Sequence, residues 1–172
     1  MNADGARIVL KDTTHPGNIG AAARAMKTMG FSRLVLAAPK TLIDSQSRAM
    51  AAGAADILDC VQICEDLPEA VGECAHVFGF SARPRDLSPA QTSVRQAAAT
   101  AAEKLAAGEK IAFVFGGERS GLDNDAMRRC GYAVHIPAAS AAARRRSLNL
   151  AQAVQIAVYE LRLALHGNIA KP

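Results

Sequence analysis

Short apolar runs recur along this chain, and segments with helical periodicity separate them. The runs are typical of buried strands and lie at residues 7–10, 33–37, 76–80, 111–115 and 132–136. The longest predicted helix spans residues 147–166, with Ser147 as its N-cap. Strands that alternate with helices predict a three-layer α/β domain with a mostly parallel sheet.

The composition indicates one globular domain over residues 1–172. Half of the residues are hydrophobic, yet no apolar run reaches the ~18 residues of a membrane helix. The 20 basic and 16 acidic residues leave a weakly basic chain, which is compatible with a nucleic-acid partner. The four cysteines lack the spacing of a zinc site, and the N-terminus lacks a secretory signal core. We therefore expect a cytoplasmic protein without a metal site.

A glycine-rich turn follows the apolar run at 111–115. Gly116 and Gly121 have the spacing of a phosphate-binding loop, but Leu122 and Asp123 stand where Lys and Ser or Thr are required. The Rossmann pattern of glycines is also absent. Glycine-rich turns after strands commonly hold ligands, so we expect a ligand here that is not held by its phosphates.

Polar residues open two of the predicted helices. Arg24 lies one turn after Gly20, so its guanidinium can fold back toward the Asn18 amide and form a site for an oxyanion or phosphate. Ser147 and Asn149 begin the last helix, directly after Arg144, Arg145 and Arg146. The alternatives are a surface arginine in the first case, and plain capping beside a solvated arginine run in the second.

The last helix carries two apolar stripes. One contains Leu148, Val154 and Leu161, and the other contains Leu150 and Ala157. Two stripes predict burial on two sides, either by a second subunit or between elements of the same chain.

Three segments, taken together and in order, carry a family resemblance. Residues 18–24 read NIGAAAR, residues 115–122 read FGGERSGL, and Ile136 and Pro137 precede SLNLAQAV at 147–154. They resemble motifs one, two and three of the SpoU (TrmH-type) branch of the SPOUT RNA methyltransferases, over about residues 7–166. Residues 13–20 and 25–31 are most similar to the TrmJ subgroup, which methylates the ribose 2′-hydroxyl of a pyrimidine in the tRNA anticodon loop.

The resemblance implies a fold, a cofactor and partners. Its fold is an α/β sheet whose C-terminal part forms a deep trefoil knot. The cofactor it implies is S-adenosyl-L-methionine, with S-adenosyl-L-homocysteine as the product and no metal. The implied partners are RNA, most specifically tRNA, and a second copy of the chain, because the active site of such homodimers lies at the subunit interface.

The resemblance also assigns residues to three roles. The catalytic residues it implies are Arg24, Asn18, Glu118, Ser147 and Asn149. Cofactor contacts are implied for Phe80, Ser81, Ala82, Gly116, Gly117, Glu118, Gly121, Ile136, Arg146, Ser147 and Leu148. RNA contacts are implied for Arg24, Arg83, Arg119, Arg144 and Arg145, with Arg85 and Arg146 beside them.

The implied function is methylation of a ribose 2′-hydroxyl, at position 32 of the tRNA anticodon loop. Three alternatives stay open at this point: a knotted RNA-binding module without catalysis, a 2′-O-methyltransferase acting on ribosomal RNA, and a nucleotide-binding α/β protein of another family. Two features depart from the family pattern. The loop at 137–146 is longer than in relatives and rich in alanine. The chain ends at Pro172, so we expect it to lack the C-terminal extension of close relatives.

Overall fold

Seven parallel strands form one sheet in the computed structural model, which describes residues 3–82, 90–139 and 148–167. The strands are β1 (Ala6–Lys11), β2 (Arg33–Ala37), β3 (Gln62–Cys64), β4 (His76–Phe80), β5 (Ala90–Ser93), β6 (Ile111–Phe115) and β7 (Tyr132–His135). Their order across the sheet is β3-β2-β1-β6-β4-β7-β5, and every neighbouring pair is parallel. The predicted α/β class with a parallel sheet is confirmed.

Seven α-helices lie on the two faces of this sheet within the described residues. They are α1 (Pro16–Thr28), α2 (Ser45–Ala51), α3 (Ala55–Asp59), α4 (Leu67–Val71), α5 (Val94–Ala106), α6 (Asn124–Arg128) and α7 (Leu150–His166). Helices α1, α2, α3, α5 and α7 share one apolar cluster, whereas α4 and α6 share a second. Side chains alternate between these clusters along the central strands: Phe113 of β6 joins the first and Val114 the second. The three-layer arrangement follows.

The registers of the central strands bring their carboxyl ends level. Leu10 of β1 and Phe80 of β4 both pair with Phe115 of β6, and Phe80 also pairs with Val134 of β7. The segments that leave these four strands therefore emerge side by side, at the edge where parallel sheets hold ligands.

Helix α1 forms for reasons that are visible in the sequence. Pro16 stands at the first helical position, where the missing N–H costs nothing, and Ile19 and Met26 lie on the buried face. The helix ends at Thr28, and Gly30 follows with φ of 84°, a left-handed conformation that glycine adopts without strain.

The structure differs from the sequence-based prediction at three elements that were not predicted and at one helix cap. Strand β3 was not predicted because QIC is only three residues long, and β5 was not predicted because AQTS is largely polar. Helix α3, which has five residues, was also not predicted. The predicted N-cap of the last helix was wrong. Asn149 caps α7, since its side chain accepts from the N–H groups of Ala151 and Gln152, whereas Ser147 lies outside the described residues.

Helix α7 lies between α1 and α5 of the same chain. Leu150 and Ala157 of one predicted stripe are buried there together with Val154 and Leu161 of the other. Burial of both stripes therefore does not require a second subunit. The trefoil knot stays a prediction, because strand order alone does not define how the chain threads. No helix in the described part of the chain is long and apolar enough to cross a membrane.

The α1–α2 contact yields a stability prediction at Gly20. A Cβ atom there would lie 1.9 Å from the Ser47 carbonyl oxygen of α2, so alanine forces the two helices apart. We expect Gly20→Ala to lower the free energy of unfolding by about 1–3 kcal/mol, although alanine normally favours a helix by about 1 kcal/mol.

Denaturant titration measures this change, and Gly53→Ala is the matched control. A Cβ at Gly53 meets no atom within 4 Å, so the control variant should unfold at an unchanged or higher midpoint. Equal midpoints for the two variants would contradict the proposed close approach of the helices.

Candidate functional site

A cleft of about 1070 Å³ opens where the carboxyl ends of β1, β4, β6 and β7 emerge. Its walls come from the ends of β4, β6 and β7, the glycine loop after β6, the starts of α1 and α7, and one side of α2. The titratable or charged residues that line it, among those described, are His15, Glu118, Arg119 and His135.

The glycine loop owes its glycines to contacts within the protein. A Cβ on Gly116 would lie 2.1 Å from the carbonyl carbon of Gly121, because the loop folds back on itself. The N–H of Gly121 donates to the Gly117 carbonyl oxygen over 3.0 Å, and Gly121 has φ of 65°. A Cβ on Gly117 would approach the Asp12 carbonyl oxygen to 2.8 Å. These glycines let the loop close and press against the segment after β1, which brings Glu118 beside the start of α1.

The Glu118 carboxylate is the acceptor for four hydrogen bonds. The Thr14 N–H and Oγ each donate to Oε2 over 2.9 Å, and the His15 N–H and Asn18 Nδ2 donate to Oε1 over 3.3 Å and 3.1 Å. Partial burial alone would raise the pKa of Glu118, but the bonds from Thr14 and Asn18 outweigh it, and the pKa lies below its ordinary value of 4.5. The carboxylate is therefore ionised at neutral pH.

Two asparagine side chains continue this network to α7. Asn149 Nδ2 donates to Asn18 Oδ1 over 3.1 Å, while Asn149 Oδ1 accepts from the backbone N–H groups of Ala151 and Gln152. Neither amide can flip, because a carboxylate stands at one end of the network and helix N–H donors stand at the other. We name Glu118, Asn18 and Asn149 the carboxylate–amide network.

The structure places most of the predicted site residues on the cleft. Asn18, Asn149 and Arg119 line it, and so do the predicted cofactor contacts within the described residues: Phe80, Ser81, Ala82, Gly116, Gly117, Glu118, Gly121, Ile136 and Leu148. The remaining predicted contacts lie outside the described residues: Arg83, Arg85, Arg144, Arg145, Arg146 and Ser147.

Arg24 does not lie where its spacing from Gly20 predicted. The open side of Gly20 is filled by Ser47 of α2, and Arg24 is an exposed residue of α1 that is absent from the cleft lining. Within the described residues, Arg24 has no hydrogen bond or ion pair. Arg119, which the loop sequence places beside Glu118, is exposed at the cleft, whereas Glu118 turns inward with 13% of its side chain exposed.

Several cleft residues were not predicted from the sequence. Thr14 and His15 follow β1 and His135 ends β7, so the rule that ligands bind at the carboxyl ends of parallel strands could have found them. Gln46 and Met50 reach the cleft only because α2 packs against the start of α1, and no sequence signal indicates that contact. In the described part of the chain, no cluster of three or more His, Cys, Asp or Glu could hold a metal ion.

Residues 5–159 match the SpoU rRNA Methylase family. The chain belongs to that family. It is 45% identical over 169 residues to the tRNA (cytidine/uridine/adenosine-2′-O-)-methyltransferase TrmJ of Pseudomonas aeruginosa strain UCBPP-PA14, and this match covers 98% of the chain but 65% of that relative. The chain thus spans less than two thirds of the length of this curated relative.

Two solved structures are similar to this chain in fold. A probable methylase family protein from Haemophilus influenzae Rd KW20 is 43% identical with a TM-score of 0.87, covering 99% of this chain and 72% of that one. TrmJ from Z. mobilis ZM4 is 31% identical with a TM-score of 0.84, covering 96% and 70%. The cleft is therefore a site on a known fold whose chemistry must be argued from its residues.

The lowered pKa of Glu118 predicts a pH-dependent stability effect for Glu118→Gln. A glutamine presents its NH₂ group to the donors that now bond to the carboxylate. We therefore expect the free energy of unfolding to fall by about 1–2 kcal/mol at pH 7, a modest loss because part of the site is open to solvent. The folded-state pKa lies below 4.5, so the stabilisation is present above that pH and is lost as the pH falls through the folded-state value.

Urea titrations at pH 7 and at pH 3 measure both effects. The gap between wild type and Glu118→Gln should be smaller at pH 3. Glu103→Gln, at an exposed position of α5, is the matched control and should be neutral at both pH values. A gap that widens on acidification would contradict the ionised state of Glu118.

Proposed function

We propose that this protein transfers a methyl group from S-adenosyl-L-methionine to a ribose 2′-hydroxyl of RNA. The substrate we favour is a pyrimidine at position 32 of the tRNA anticodon loop. The observation that carries the proposal is the carboxylate–amide network, which joins three separate segments of the chain at one cleft. Family membership and the names of the TrmJ relatives support the reaction class.

The cleft fits the cofactor in size and in chemistry. Its volume of about 1070 Å³ is at the upper end of the range for small-molecule sites, which leaves room for a nucleotide beside the cofactor. Ile136, Leu148 and Leu150 provide apolar wall for an adenine, and the loop at Gly116 provides backbone polar groups. When bound, S-adenosyl-L-methionine supplies a methyl group on a sulfonium, which needs no metal to leave.

The protein's contribution is to position the ribose and to stabilise charge. Methyl transfer needs the hydroxyl oxygen in line with the methyl group, and it generates negative charge on that oxygen as the proton leaves. Arg24 is the residue we assign to this charge and to the neighbouring phosphate. A guanidinium does not release its proton in proteins, so Arg24 acts as a cation and not as a base.

Arg24 would act at the cleft of a second subunit and not at the cleft of its own chain. It is exposed and does not line the cleft of its chain, so we propose a homodimer in which Arg24 approaches the cleft of the partner subunit. Arg119 is an exposed residue of the cleft lining and would contact the RNA backbone, a contact that weakens with salt. We propose that the dimer acts in the cytoplasm.

A second candidate is a 2′-O-methyltransferase of ribosomal RNA, because the family description names rRNA. A knotted RNA-binding module without catalysis is the alternative of a different class. The ordered state of Asn18, Glu118 and Asn149 favours the enzyme, since these polar groups are held at the cleft by mutual hydrogen bonds.

Transfer of labelled methyl from S-adenosyl-L-methionine tests the proposal. Bulk tRNA and ribosomal RNA are offered separately, and the modified nucleotide is then mapped. We expect label in tRNA at position 32 as a 2′-O-methylated pyrimidine. Cofactor binding by calorimetry without transfer to either RNA would favour the non-catalytic module, and label only in ribosomal RNA would favour the second candidate.

Arg24→Lys tests the role of the planar guanidinium. Lysine keeps the charge but cannot bridge an oxyanion and a phosphate with a fixed fork, so we expect methyl transfer to fall about 10²-fold with cofactor binding unchanged. Arg33→Lys is the matched control, since Arg33 is an exposed residue at the amino end of β2, away from the cleft. Near-normal turnover of Arg24→Lys would refute any role that needs the fork.

A further inference from the structure

Glu118 also belongs to a second hydrogen-bonded series at the cleft, whose other members, Thr14 and His15, the methyltransferase proposal does not use. Glu118 Oε2 lies 2.9 Å from Thr14 Oγ, and Thr14 Oγ lies 2.8 Å from His15 Nδ1. The Thr14 N–H also donates to Glu118, which holds the threonine in place. The His15 ring lines the cleft, and 63% of its side chain is exposed.

The positions of the Thr14 hydroxyl proton and the His15 ring proton follow from the Glu118 carboxylate at one end of the series. The Glu118 carboxylate has no proton to give, so the single hydroxyl proton of Thr14 points to Oε2. Thr14 Oγ then offers only lone pairs to His15, and Nδ1 must carry the proton of that contact. The reverse assignment would place two lone-pair oxygens 2.9 Å apart without a proton between them. A neutral His15 ring therefore has its free lone pair on Nε2.

We propose that His15 Nε2 accepts the proton of the substrate hydroxyl. This inference rests on the proposed function. In the transfer, the O–CH₃ bond forms while the S–CH₃ bond breaks and its electron pair stays on sulfur. The O–H bond breaks with its electron pair left on oxygen, and the proton forms the Nε2–H bond. The resulting imidazolium later releases this proton to water.

The surroundings of His15 suit a proton acceptor better than those of the other cleft residues. Glu118 already accepts four hydrogen bonds and is largely buried, and Arg119 is a cation. His135 lines the cleft, but no described residue holds its ring through a hydrogen bond. By contrast, His15 Nδ1 lies 3.9 Å from Glu118 Oε1, so the carboxylate stabilises the imidazolium that forms.

We expect replacement of His15 by Gln to leave the local fold intact. His15 is the N-cap residue of α1, but its side chain makes no capping hydrogen bond. Its backbone N–H, which donates to Glu118, is retained in His15→Gln. Loss of activity in a His15 variant therefore reports on the ring and not on the helix.

Imidazole ¹⁵N chemical shifts of the full chain, without cofactor, test the arrangement itself. Signals of His15 are assigned by their loss in His15→Gln, and we expect the neutral ring to carry its proton on Nδ1. Thr14→Val removes the hydroxyl and should shift the ring toward the Nε2–H form. A wild-type ring protonated on Nε2 would overturn the proposal.

Methyl transfer by His15→Gln tests the role. We expect the rate to fall about 10²-fold or more and cofactor binding by calorimetry to stay unchanged. We also expect wild type to lose rate at acidic pH, because a protonated His15 has no lone pair on Nε2, and we expect His15→Gln to lack this loss. His166→Gln, at the far end of α7, should match wild type in rate and pH profile. A His15→Gln rate within about threefold of wild type, with the acidic loss retained, would overturn the proposal. No transfer by the unsubstituted chain to any RNA would instead reject the proposed function, while the ¹⁵N shifts would still report the arrangement of His15.

Discussion

The ionised carboxylate of Glu118 is the group on which the geometry of the cleft depends. It accepts hydrogen bonds from Thr14, His15 and Asn18, all at or near the start of α1. His15 gives that helix no side-chain cap, so an anion from another segment occupies the positive end of the helix dipole instead. Because a carboxylate only accepts, it sets the direction of every hydrogen bond that leads away from it.

The parallel sheet makes this contact possible. Strands β1 and β6 are neighbours in register up to Leu10 and Phe115, so the segments that follow them run side by side. The close approach of Gly117 to Asp12 then leaves Glu118 level with Thr14. A side chain at position 117 would push the loop away and break the link between sheet and site. The position of Glu118 at the cleft thus depends on how closely the backbones at Gly117 and Asp12 approach each other.

Sequence patterns predicted the central strands well, because β2, β4 and β6 are apolar runs buried on both faces. The short, polar edge strands lacked that signal. At the site, the three segments and most of their cleft residues could be identified from the sequence. The residues that Gly20 and Glu118 contact could not be predicted. Gly20 faces α2 and not Arg24, and Glu118 turns inward toward Asn18, because both contacts join segments that are distant along the chain. Asn149 replaced Ser147 as the cap for a similar reason, because Asn18 holds its amide in the capping orientation.

The central claim is that Glu118, Asn18 and Asn149 act as one unit, and a mutant cycle on stability tests it most directly. The cycle combines Glu118→Gln with Asn149→Ser, which keeps a capping hydroxyl at the start of α7. Among the described residues, Glu118 and Asn149 are linked by hydrogen bonds only through Asn18. We therefore predict a coupling energy of about 0.5–2 kcal/mol that disappears in an Asn18→Ala background. Additive effects to within about 0.3 kcal/mol in the presence of Asn18 would contradict the account.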